Sequence, residues 1–94
     1  MSKYEIIFIV KSSLESETLN KITEDLKKTF KNDKKLEFKD MGQKRLAYPI
    51  KKEVNGYYYL MNVEATADEI AEFRHKVLVN EDVIRHLIIN LDEE

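Results

Sequence analysis

Gln43-Lys44-Arg45-Leu46-Ala47-Tyr48-Pro49-Ile50-Lys51-Lys52 decides how this chain folds. Four cations bracket a short apolar core, and a proline stands inside what otherwise reads as a β-strand. Proline has no N–H to give to a ladder and is confined to sheet edges, so the segment is an edge strand. An edge strand that is basic at both ends places charge where an anion can reach it.

The neighbouring segments supply the rest of a sheet. Leu36-Glu37-Phe38-Lys39 alternates with period two and opens the same strand, which Gly42 interrupts as a bulge or bend. Lys51 to Asn55 reads as a polar loop, with Asn55-Gly56 as its tight turn. Tyr57-Tyr58-Tyr59-Leu60-Met61-Asn62-Val63 reads as a strand apolar on both faces. Tyr4-Glu5-Ile6-Ile7-Phe8-Ile9-Val10 reads as another, with Tyr4, Ile6, Phe8 and Val10 on one side and Ile7 and Ile9 on the other. Val83-Ile84-Arg85-His86-Leu87-Ile88-Ile89 is a fourth strand.

Two helices alternate with these strands. Leu19, Ile22, Leu26 and Phe30 form one apolar stripe, with Ser13 or Ser16 as the expected cap. Ile70, Phe73 and Val77 form the stripe of a second helix, and Thr66-Ala67-Asp68-Glu69 precedes it as a capping box. The order β-α-β-β-α-β, with both helices needing a sheet face, predicts a ferredoxin-like α+β two-layer sandwich: a four-stranded antiparallel sheet with two helices on one face. In that topology the second strand is an edge, which agrees with Pro49. Residues 1–94 form one domain, with 92–94 expected to fray.

By alternation the open sheet face is expected to carry Ile7, Ile9, Tyr57, Tyr59 and Met61, with Leu87 and Ile89 beside them. A contiguous apolar face on a small domain points to a protein partner. Charge is divided along the chain. Residues 1–56 hold 13 Lys and Arg against 9 Asp and Glu, and residues 57–94 hold 3 against 9. The net charge is −2 and the pI about 5.7, below the range of readily recognised nucleic-acid binders, so any such role depends on local placement.

Catalytic constellations are missing from the sequence. His75 and His86 are its two histidines, and Gly42 and Gly56 are too few for a phosphate-cradling loop. Glu69 and Glu72 lie on a solvated helix face. An acylphosphatase, which shares this topology, needs a Gly-rich anion loop ending in Arg after the first strand. Lys11-Ser12-Ser13-Leu14-Glu15 has neither and carries a repelling carboxylate. A ligand-sensing domain that dimerises through its sheet is the other alternative. Neither metal, cofactor nor small-molecule substrate is expected. No cysteine is present, which favours the cytoplasm, and no apolar run of about 18 residues exists to span a bilayer.

Tyr4-Glu5-Ile6, Gly42, Arg45-Leu46-Ala47-Tyr48-Pro49-Ile50, Lys52, Met61-Asn62-Val63-Glu64 and Val83-Ile84-Arg85 together carry a resemblance. Across nearly its whole length the chain resembles the bacterial small-subunit ribosomal protein six family. The resemblance implies a non-enzymatic component of the ribosome that binds small-subunit ribosomal RNA as a heterodimer with ribosomal protein eighteen. Carried over by position, the RNA-facing residues are Lys3, Lys44, Arg45, Lys52 and Arg85, with Lys44 where some members have Arg. The open face would then serve the protein partner.

Overall fold

The computed structural model describes residues 2–31, 36–50 and 53–92, with 47–50 described through their backbone. Four strands and two helices follow in the expected order: β1 (Ser2–Lys11), α1 (Ser16–Lys28), β2 (Glu37–Ile50), β3 (Glu53–Ala65), α2 (Ala67–Val79) and β4 (Val83–Asn90). The sheet order is β2-β3-β1-β4 and every pairing is antiparallel. The two strands that precede helices are therefore central, and β2 is an edge as Pro49 requires.

One core lies between the helices and a single face of the sheet. Ile6, Phe8 and Val10 of β1 meet Tyr59, Met61, Val63 and Ala65 of β3. Ile22 and Leu26 of α1, Phe30 just beyond it, and Ile70, Phe73 and Val77 of α2 close over them. Aromatic rings organise its centre. Phe8 stacks on Tyr59 at 5.2 Å between centroids, Tyr59 on Phe38 at 5.3 Å, and Phe73 meets Phe8 edge-on at 6.1 Å. Offset and edge contacts of this kind add about 1 kcal/mol each beyond burial.

Local chemistry sets the ends of the elements. The capping box at α2 forms as expected: the Thr66 hydroxyl accepts from Glu69 N–H at 3.1 Å, and the Glu69 carboxylate accepts from Thr66 N–H at 3.0 Å. The same carboxylate accepts from Lys31 N–H at 2.8 Å, tying the exit of α1 to the start of α2. These backbone donors hold the Glu69 pKa below the usual carboxylate range. The cap of α1 departs from expectation. Its N-cap is Glu15 and makes no side-chain cap, while the Ser13 hydroxyl donates to Glu53 instead.

The β2–β3 hairpin also departs from expectation, because both strands run further than their turn residues imply. Arg45 pairs with Asn55 and Ile50 with Glu53, so Asn55 and Gly56 lie inside β3. The connection falls at Lys51 and Lys52, outside the described residues. Gly56 answers a packing demand there: a Cβ on it would collide with Ile9 Cγ2. Gly42 behaves as read. It has φ +81° and sits where the β2–β3 register shifts by a bulge.

Candidate nucleic-acid and protein interface

The face away from the helices can be read row by row from the strand register. Nearest the hairpin, Lys44 stands opposite Gly56, which stands opposite Lys11. The next row holds Gly42, Tyr58, Ile9 and Arg85, and the next holds Lys39, Leu60, Ile7 and Leu87. Beyond these come Glu37, Asn62, Glu5 and Ile89, and finally Glu64 opposite Lys3. The face is thus cationic at the hairpin end, apolar across its middle and richer in carboxylates at the far end.

This register corrects the sequence reading of β3. Ile7 and Ile9 lie on the open face as expected, but Tyr57, Tyr59 and Met61 do not. Tyr59 pairs with Phe8 and Met61 with Ile6, so both share the helix-covered face, and they are 3% and 0% exposed. Tyr57, opposite Val10, packs against the same core. Burial and the neighbouring Asp40 and Tyr57 push the Tyr59 phenol up to about 12. Tyr58 and Leu60 take the open face instead. A signal for this was present in the sequence: Asn62 and Glu64 share parity with Tyr58 and Leu60, and polar residues belong on the solvated side.

The open face has two apolar parts. Toward the hairpin, Ile9, Leu46 and Ile84 pack into a small second cluster with Tyr58 beside it. Lys44 Nζ lies 5.7 Å from the Tyr58 ring centre, within cation–π reach. Further along, a shallow depression is lined by Ile7, Ile9, Arg85 and Leu87. Leu87 remains 54% exposed and Ile89 37%, more than shielding a sheet requires.

The expected cations separate into two groups. Lys44, Arg45 and Arg85 are all exposed at the hairpin end. Lys44 and Arg85 occupy opposite edges, three strand spacings apart, or about 14 Å. Arg45 follows Lys44 and so points to the opposite side of β2. Lys3 is exposed at the far end, eight residues along β1 from Lys11, or about 27 Å. Lys52 lies outside the described residues. Lys11 is held by Asp82 at 3.0 Å. Lys39, which sequence reasoning passed over, joins the open face through simple alternation with Glu37.

His75 is exposed on α2. His86 faces the helix layer opposite Phe8, and burial, aided by Arg74, lowers its pKa. Among the described residues no group of three or more His, Asp or Glu could hold a metal, and no helix is long and apolar enough to cross a membrane. Asp92 accepts from Lys3 N–H at 2.9 Å, and Glu93 and Glu94 lie outside the described residues.

Fold and site together define a ferredoxin-like α+β domain that offers a charged, partly apolar sheet face. A family model described as Ribosomal protein S6 matches residues 3–90. The small ribosomal subunit protein bS6 of Halalkalibacterium halodurans is 43% identical over the whole of both chains. That of Ureaplasma urealyticum is 41% identical over the whole of this chain, which spans 59% of that relative's length. The crystal structure of 30S ribosomal protein S6 from Thermotoga maritima shares the fold, with a TM-score of 0.84 at 24% identity, covering 95% of this chain and 86% of that one. The chain belongs to the ribosomal protein S6 family. These relatives are named as ribosomal proteins, not as enzymes.

Proposed function

We propose that this chain is a structural component of the small ribosomal subunit in the cytoplasm. It binds small-subunit ribosomal RNA together with ribosomal protein eighteen. The observation that carries this reading is the placement of Lys44, Arg45 and Arg85, all exposed, at one end of a sheet whose open face is apolar across its middle. Phosphates meet the cations, which set register and affinity without reading base sequence. The apolar middle of the face receives the protein partner. Joint binding with a basic partner also accounts for a domain that is itself slightly acidic.

Titration against a central-domain ribosomal RNA fragment, with ribosomal protein eighteen present, tests the RNA half. Contacts from Lys3, Lys44, Arg45, Lys52 and Arg85 predict that log affinity falls with log salt at a slope of about −4. Replacing Lys44 and Arg45 with Ala should flatten that slope by about two. An unchanged slope removes both from the phosphate contacts. RNA affinity should also be weak for the lone chain and rise sharply when the partner is added. Tight binding by the lone chain would contradict joint assembly.

A further inference from the structure

The two edges of the sheet differ in chemistry. β2 is guarded: Gly42 breaks its register with a bulge at φ +81°, Pro49 removes an N–H, and Lys39, Lys44 and Arg45 are exposed along it. β4 lacks these devices beyond its start. From Arg85 to Asn90 its register with β1 is unbroken, and the stretch holds neither proline nor glycine. Among the described residues β4 has β1 as its one neighbour, so its outer side offers a regular row of backbone donors and acceptors. Leu87, at the middle of Arg85–Ile89, is 54% exposed, and Ile89 is 37% exposed.

We infer that the β4 edge pairs with the β4 edge of a second copy of this chain, antiparallel, about a two-fold axis at Leu87. An axis perpendicular to the sheet keeps open face beside open face. Arg85 then stands opposite the second copy's Ile89, and Leu87 opposite its own counterpart. Charge selects this register. Glu5 is the β1 partner of Ile89, so the second copy's Glu5 lies two strand spacings from Arg85. That is about 10 Å between Cα atoms, within the combined reach of the two side chains. The symmetry makes this ion pair twice. Within one copy Arg85 and Glu5 are four residues out of register, about 13 Å along the strands, and Glu5 has no ion-pair partner among the described residues. Other registers lose the match. An axis at Ile88 sets Arg85 against Leu91, whose N–H bonds to the Lys3 carbonyl, and so brings it toward a like charge. An axis at His86 sets Arg85 against Leu87 and Ile7, with no carboxylate in the row. One strand edge buries less than a standard interface, so the pairing is weak and reversible. It needs neither RNA nor ribosomal protein eighteen.

Sedimentation velocity of the full chain at low salt, from about 10 μM to about 1 mM, reads the pairing. Wild type should shift reversibly from monomer toward dimer. Arg85→Glu and Glu5→Arg, each alone, should weaken association about tenfold, because each turns two attractions into two repulsions. The two together rebuild the pair with reversed sign and should return association to within about threefold of wild type. Leu87→Lys should abolish it by placing like charges at the axis, and thermal melts check that each variant is folded. Amide hydrogen exchange of the wild type gives a reading that needs no variant: protection of Arg85–Ile89 should rise with chain concentration while that of β2 stays constant. A wild type that remains monomeric at about 1 mM overturns the inference. So does a double charge reversal no better than either single one, or concentration-dependent protection in β2 in place of β4. Each of these results leaves the proposed function standing.

Discussion

Met61→Asp and Leu60→Asp place the same carboxyl on adjacent residues of β3 that point to opposite faces, and the structure predicts opposite outcomes. Met61 is fully buried between the sheet and the helices. Its loss forfeits about 2–3 kcal/mol of apolar burial. The new carboxyl must be neutralised to stay inside at pH 7, about three units above its ordinary pKa, which costs about 4 kcal/mol more. A domain of 94 residues has about 5–14 kcal/mol of total stability, so this variant should be largely unfolded at neutral pH. Leu60 lies half-buried on the open face, and its replacement should cost about 1–2 kcal/mol, leaving a folded domain. Circular dichroism melts and urea titrations at several pH values read both. The buried carboxyl has a raised folded-state pKa, so its penalty is absent below about pH 4, the unfolded value, and grows as pH rises. Met61→Asp should therefore come closest to wild-type stability in acid. A cooperative, near-wild-type melt for Met61→Asp at pH 7, with Leu60→Asp unfolded, would refute the assigned faces of β3.

Other predictions follow from the ends and turns of the elements. Glu69→Gln should lower stability by about 1 kcal/mol, because the carboxylate holds the Lys31 and Thr66 N–H groups together. The depressed folded-state pKa of Glu69 supplies stability that is present above its unfolded value near 4.3 and lost as pH falls below it, so urea midpoints of wild type and Glu69→Gln should converge in acid. Gly42→Ala should cost about 1–2 kcal/mol through its positive φ alone, since a Cβ there meets nothing within 4 Å; a neutral result would put the bulge elsewhere. His86 has a lowered folded-state pKa, so the unfolded chain takes up its proton first as pH falls below about 6.5. Stability should decline there in wild type and less in His86→Gln, measured by melts between pH 5 and 7.

Most of the fold was legible because several independent patterns had one common solution. Pro49 marked an edge, the two-sided apolar first strand marked a centre, and two helical stripes demanded one sheet face. Thr66 and Glu69 form the box their spacing implies, and Gly42 the bulge. The parity of β3 was misread because both of its faces carry large side chains, so apolar content could not choose between them. Asn62 and Glu64 could have chosen. Asn55-Gly56 carries a strong local turn signal, yet long-range pairing with β2 overrides it and uses the missing Cβ to seat Ile9. At the site, the sequence showed which cations belonged to the pattern but not how they are spread. Lys3 and Lys44 lie at opposite ends of the sheet because β1 and β2, both antiparallel to β3, run in the same direction. Lys3 stands near the start of β1, while Lys44 lies past the bulge of β2, level with Lys11 at the end of β1.

Fractionation of native ribosomes tests the central claim most directly. Small subunits purified at moderate salt from the organism that makes this chain, and quantified by mass spectrometry, should carry it at about one copy each. Loss of ribosomal protein eighteen should reduce that occupancy. Small subunits that contain the other ribosomal proteins at full occupancy while this chain remains in the soluble fraction would contradict it.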